Sequence, residues 1–163
     1  MAVPFEDIKS PDFHISKKWH KIYQSLCGRT SLVAEAYPLF KKYTNLYILC
    51  TAIGFSLNKK EPLDKKTETP FTLEQIDTAT EWPVLLAIAW RDSGQDMNIF
   101  TDSRKIISVC DQYAEAGMRE FISQYPFNQL FNEEGELLNP ENYELEFNAA
   151  LIVQKYKNDY SLI

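Results

Sequence analysis

Apolar side chains recur at helical spacing through most of the chain. Trp19, Ile22, Tyr23 and Leu26 fall at i, i+3, i+4 and i+7, which predicts one buried stripe on a helix over 16–27. Ser16 is its expected N-cap, Gly28 its expected stop, and Lys17, Lys18 and Lys21 lie largely off the stripe. A further turn of helix is expected over 31–37. Pro38 suits a first helical turn, and Leu39, Tyr43, Leu46, Tyr47, Cys50 and Ile53 carry the pattern to about Phe55. The run LYILCTAIGF is apolar all round, which predicts that this helix is central.

The pattern then changes. Residues 56–71, SLNKKEPLDKKTETPF, read as an exposed, mobile basic loop. Thr72 opens T-L-E-Q, a capping box in which the Gln75 side chain reaches back to the cap N–H. Pro83 starts a helix, PVLLAIAWR, that breaks at Asp92-Ser93-Gly94, and Met97, Ile99 and Phe100 predict a short packed segment. Asp102 or Ser103 caps a long helix over 104–125, with Ile106, Val109, Cys110, Tyr113, Ala116 and Phe121 inward. Gly117 in its middle marks a close approach of another backbone, and Pro126 ends it. Residues 127–138 read as an acidic loop or a small β-hairpin around Gly135, and Asn139-Pro140 opens a terminal helix over 140–159. Residues 1–15 form an irregular arm. The fold class is mostly α, a single-domain helical bundle over residues 1–163 with a small β-hairpin near 127–138 as the one β alternative.

Composition narrows the class. At 163 residues, with 45% hydrophobic and 25% charged residues, the chain has the make-up of a globular domain that folds without disulfide or metal. Nothing approaches the ~18 consecutive apolar residues of a membrane helix, and no secretory signal pattern opens the sequence. Three widely spaced cysteines, Cys27, Cys50 and Cys110, form no C-x-x-C pair, and a reducing cytoplasm fits them. The net charge of −6 is uneven: residues 1–66 hold 11 Lys/Arg against 6 Asp/Glu, and residues 67–163 hold 6 against 17. Such asymmetry points to a nucleic-acid or other acidic partner for the first part and a basic one for the second, to two halves that face each other, or to no more than an unevenly charged solvated surface.

Catalytic patterns are sparse. His14 and His20 lie six apart, a spacing that does not bring two side chains together on one helix face. The 5 glycines spell no phosphate-cradling loop. Asp92, Asp96 and Asp102 are the oxygen ligands that Mg²⁺ or Ca²⁺ takes, but their spacing is not that of an EF-hand, and helix capping accounts for Asp102. No catalytic residue, metal site or cofactor is therefore assigned. Two binding surfaces are. Lys59, Lys60, Lys65 and Lys66, with Lys41 and Lys42, and with Lys17, Lys18, Lys21 and Arg29 if the helices bring them near, are the candidate phosphate contacts of a nucleic-acid site. Tyr143, Phe147, Tyr156 and Tyr160, on or beside a polar terminal helix, are the candidate partner-docking residues.

The central sequence resembles a known family. FKKYTNLYILCTAIGFSLNKKEPL over 40–63, VLLAIAWRDSGQDMNIF over 84–100 and DQYAEAGMREF over 111–121 resemble small accessory proteins associated with Dnd gene clusters, which handle DNA phosphorothioation and linked restriction in bacteria and archaea. The matching positions include Ala52, Gly54, Phe55, Lys59, Lys60, Pro62 and Leu63, then Leu86, Ala87, Ala89, Tyr113, Ala114, Gly117 and Met118. The resemblance extends over residues 38–125, about half of the chain, and its motifs are structural. It implies a non-catalytic accessory subunit of a DNA-modification-linked antiphage defence system. Its expected partner is a larger protein subunit, with DNA or a second copy of the chain as further partners and no membrane. A DNA-binding subunit using the 59–66 lysines is the alternative. A metal-dependent nuclease or hydrolase using Asp92, Asp96 and Asp102 is the third reading.

Overall fold

A computed structural model describes residues 11–27, 39–124 and 127–138. The expected stripe is buried: Trp19, Ile22, Tyr23 and Leu26 are each at most 1% exposed. The helix that carries them is shorter than its pattern, however. Ile15–Ser16 is a strand (β1), residues 17–19 form one 3-10 turn, and α1 runs His20–Leu26. Ser16 makes no side-chain cap bond, because its hydroxyl is spent on a distant carboxylate.

The central helix, α2, runs Tyr43–Ser56. It begins later than Pro38 suggests, because Phe40 is held in a parallel bridge to Cys27, with its N–H donated to the Leu26 carbonyl at 3.0 Å. Beyond it, Thr72 N–H donates to Gln75 Oε1 at 3.0 Å, completing the expected box on a single 3-10 turn. Helix α3 spans Trp82–Asp92, and a 3-10 stretch over Met97–Thr101 buries Ile99 but leaves Met97 and Phe100 exposed, so only one of three apolar residues there packs inward. Helix α4 spans Ser103–Ser123, capped by Asp102, whose Oδ1 accepts the Lys105 N–H at 3.0 Å.

Helices α2 and α4 form the axis of the molecule, with α3 against both. Their backbones touch at two glycines. A methyl on Gly117 would overlap the Cys50 carbonyl, and one on Gly54 would overlap the Tyr113 carbonyl. The close approach expected at Gly117 is therefore real and reciprocal. One hydrophobic cluster joins α1, α2, α3 and α4. Each large side chain fully buried in it contributes roughly 1.5–3 kcal/mol.

The basic loop is exposed along most of its length, as expected, but Phe71 at its end is buried against Phe13 and Tyr47, and the loop is a fixed strap and not a free segment. Its Thr67–Glu68 is a strand (β2) antiparallel to β1, pairing Ile15 with Glu68 and Ser16 with Thr67. The ribbon continues on both sides, through Lys17 N–H to the Lys66 carbonyl at 2.9 Å and Phe13 N–H to the Phe71 carbonyl at 3.2 Å. The Lys59 and Glu61 N–H groups tie the strap's start to the Gly54 and Gln112 carbonyls at 2.9 and 3.1 Å. Hydrogen bonds to the arm and to both central helices do what the polar composition alone does not reveal.

The described residues are thus mostly helical, with a small two-stranded antiparallel sheet. Over 127–138 a single helical turn, α5 (Phe127–Leu130), leads into an antiparallel bridge between Phe131 and Leu137. The turn between them uses Gly135 at φ +72, and a methyl there would overlap the Lys18 carbonyl. Glu133, Glu134 and Glu136 are exposed on this turn. Gly28, the turn expected over 31–37, Pro38, Pro126 and the terminal helix over 140–159 lie outside the described residues.

Candidate functional site

Helix α4 presents two acids where its apolar face meets the arm. Asp111 and Glu115, one turn apart, are only 5% and 3% exposed. Asp111 Oδ1 accepts the Tyr47 hydroxyl at 2.6 Å, and both of its oxygens accept the His14 N–H at 3.2–3.3 Å. His14 Nδ1 stands 3.5 Å from Oδ2. Glu115 Oε2 accepts the Ser16 hydroxyl at 2.8 Å, Ser16 in turn accepts the Asp64 N–H at 2.9 Å, and Lys18 Nζ lies 3.2 Å from Asp64 and 4.0 Å from Glu115 Oε1. These two carboxylates latch arm and strap onto α4.

Burial raises the Asp111 carboxyl above its usual value and outweighs the stabilising bonds from His14 and Tyr47. Burial raises Glu115 likewise, against its Ser16 bond. The hydrogen bond to Asp111 raises the His14 imidazole, against its own partial burial. All three shifts act on stability in the same direction. Raised carboxyls favour the folded chain at acid pH, and that advantage is withdrawn as pH climbs from the ordinary 3.8 and 4.5 through the folded values. The raised imidazole stabilises fully below 6.5 and loses that contribution as pH climbs through its folded value. Melting temperature should therefore fall between about pH 6 and pH 8, and His14→Asn should flatten the fall. Thermal unfolding across that range checks this; a flat or rising wild-type profile contradicts it.

The acids of the third reading are engaged one by one. Asp92 Oδ1 accepts the Tyr113 hydroxyl at 2.7 Å and Lys60 Nζ at 2.8 Å. Burial opposes its ionisation, but these donors prevail and hold its carboxyl below the usual value. Asp96 accepts the Asn98 N–H, and Asp102 caps α4. Among the described residues no three His, Cys, Asp or Glu side chains gather in a metal-binding arrangement. Cys27, Cys50 and Cys110 are buried free thiols, and burial pushes all three up, Cys27 to about 12, away from nucleophilic use.

The candidate lysines are divided among three places. Lys41 and Lys42 precede α2 while Lys59 and Lys60 follow it, so a 14-residue helix, ~21 Å long, separates these pairs. Lys60 is turned to Asp92, and Lys59 is exposed beside it. Lys65 and Lys66 instead join Lys17 and Lys18 around a cleft of about 440 Å³ that also holds Asp64 and Glu134. A neighbouring cleft of about 490 Å³ adds His20, Lys21, Glu68 and Glu136. The arm lysines thus meet the strap lysines, but four carboxylates stand among them. Lys17 pairs with Glu68 at 3.5 Å and Lys18 with Asp64 at 3.2 Å. Tyr143, Phe147, Tyr156 and Tyr160 lie outside the described residues.

A third cleft, of about 790 Å³, opens between arm, strap and the first half of α4, and His14 and Asp111 both line it. Sequence reading weighs His14 only as a partner of His20, and it passes over Asp111. The signal for Asp111 is present all the same: Ile107, Ala114, Met118 and Ile122, all buried, form a second stripe on α4, and Asp111 and Glu115 fall within it at i, i+4 spacing. No described helix is long and apolar enough to cross a membrane. No family model, curated protein or solved structure matches the chain.

Proposed function

We propose that this chain is a non-catalytic accessory subunit that acts by docking on a larger protein, in a prokaryotic DNA-modification-linked antiphage defence system of the Dnd kind. The setting rests on the sequence resemblance. The mode of action rests on one observation: the face built by the 3-10 turn, α1, the strap and the 132–136 turn interleaves Lys17, Lys18, Lys21, Lys65 and Lys66 with Asp64, Glu68, Glu134 and Glu136. Charges of both signs on one face suit a protein surface of complementary pattern, where they set orientation and association rate. They suit a polyanion poorly, because the carboxylates repel phosphates that the lysines would neutralise.

The second reading is a DNA-binding subunit using Lys59, Lys60, Lys65 and Lys66, and the meeting of Lys65 and Lys66 with Lys17 and Lys18 favours it. A gel-shift series with duplex DNA separates the two. The docking reading expects no shift at about 50 mM salt, where phosphate contacts are strong. A shift at that salt, lost in Lys59→Ala/Lys60→Ala/Lys65→Ala/Lys66→Ala, would establish the second reading and sink the first. The third reading requires metal-dependent hydrolysis abolished by Asp96→Ala.

A further inference from the structure

Helix α2 has no charged side. No Asp, Glu, Lys or Arg occurs between Lys42 and Lys59. A helix that is apolar all round is normally covered all round, yet one face of α2 is open. Asn45, Leu49, Ala52 and Ser56 fall at i, i+4, i+7 and i+11 on that face. Leu49 is 37% exposed, Leu57 just past the helix is 43% exposed, and Ile48, Ala52 and Ile53 are half-buried. An uncharged aliphatic strip one helix wide suits an apolar helix laid along it.

The chain itself supplies one. Residues 139–163 follow Leu138, the last described residue. In the helix expected over 140–159, Leu145, Ala149, Ile152, Val153 and Tyr156 fall at i, i+4, i+7, i+8 and i+11, and Tyr160 extends the same stripe. Glu141, Glu144, Glu146, Lys155, Lys157 and Asp159 all fall outside it, so the stripe is as free of charge as the open face of α2. The starting point fits as well. Gly54 meets Tyr113 and Gly117 meets Cys50, so α2 and α4 run antiparallel, and the end of α4 lies beside the start of α2. The Phe127 ring stacks on Phe121 at 4.1 Å, Phe121 is 6.4 Å from Phe40, and the Leu138 N–H donates to the Leu130 carbonyl at 2.9 Å. The described chain therefore ends near the start of α2. Twenty helical residues reach ~30 Å, against ~21 Å for α2. We propose that the C-terminal segment 140–159 packs as a helix along the open face of α2, with Leu145, Ala149, Ile152, Val153 and Tyr156 against Ile48, Leu49, Ala52 and Ile53. A tethered segment acts at an effective concentration on the order of millimolar, which favours it over a second copy of a chain that carries a net charge of −6. Tyr143 and Phe147 fall off the stripe and stay available to a partner. The proposal does not depend on the docking reading.

Disulfide trapping in the purified full chain tests it, because a disulfide closes only between closely opposed positions. The native Cys27, Cys50 and Cys110 are buried and leave the background low. Ala52→Cys is combined in turn with Ala149→Cys, Ile152→Cys or Tyr156→Cys, a set that spans two turns of register. Asn148→Cys and Lys155→Cys, off the stripe, are the controls. Each protein is oxidised mildly at about 10 μM, well below the effective concentration of a tether, and its disulfides are mapped by peptide mass. The expected result is an intrachain bond in at least one stripe pair, at a yield about tenfold or more above both controls, in a chain that sediments as a single copy. Yields in all three stripe pairs no higher than in the controls would overturn the proposal. Interchain bonds in a sedimenting dimer would overturn it too, and would assign the face to a second copy.

Discussion

Gly117→Ala should be among the most damaging single changes in this chain. The added methyl would meet the Cys50 carbonyl and come within 2.9 Å of the Gly54 backbone nitrogen. Both neighbours are helix backbone, so no side chain can swing aside, and α2 and α4 must part along their contact. Overpacking of this kind costs about 3 kcal/mol or more, against a gain of roughly 1 kcal/mol from replacing a helical glycine with alanine. A net loss of about 2 kcal/mol lowers the melting temperature of a chain this size by roughly 4–8 °C. Lys105→Ala, on the exposed face of the same helix, should stay within about 0.5 kcal/mol of wild type. Thermal unfolding of both variants checks this, and a Gly117→Ala protein as stable as wild type would contradict the interlock.

Asp111→Ala should rival it by a different route. The substitution leaves the Tyr47 hydroxyl and the His14 N–H facing a cavity without their acceptor. Stranding the partners of a buried carboxylate costs about 3 kcal/mol, or roughly 6–12 °C in melting temperature. Tyr47→Phe alone should cost about 1 kcal/mol and add much less than that on top of Asp111→Ala, because the two changes remove one shared bond. Chemical denaturation of the four-member cycle measures this. Additive losses would show that Asp111 and Tyr47 do not depend on each other.

How much of this was legible beforehand follows from where the controlling interactions lie. The Trp19–Leu26 stripe, the capping of α4 by Asp102, the Gln75 box and the close approach at Gly117 depend on local spacing or on a conspicuous small residue, and spacing exposes them. Ser16 reads as a helix cap because a serine before an apolar stripe is indistinguishable locally from one that bonds Glu115 nearly a hundred residues away. The strap reads as mobile because its composition is polar, whereas its order comes from backbone bonds to the arm and helices, which composition does not encode. Lys65 and Lys66 are recognisable as exposed cations, but only the β1–β2 pairing places them beside Lys17. Asp111 and Glu115 run against the rule that acids face water, and their place within an apolar stripe was the one available clue.

The account rests on the mixed-charge face as a protein-docking surface. Calorimetric titration of the purified chain with the purified large subunit of a DNA phosphorothioation system tests it most directly, run beside a Lys17→Glu/Lys21→Glu/Lys66→Glu variant of unchanged melting temperature. The account predicts binding by the wild-type chain and a loss of about tenfold or more, near 1.4 kcal/mol, in the variant. Equal affinity in the two proteins, or no binding by either, would contradict it.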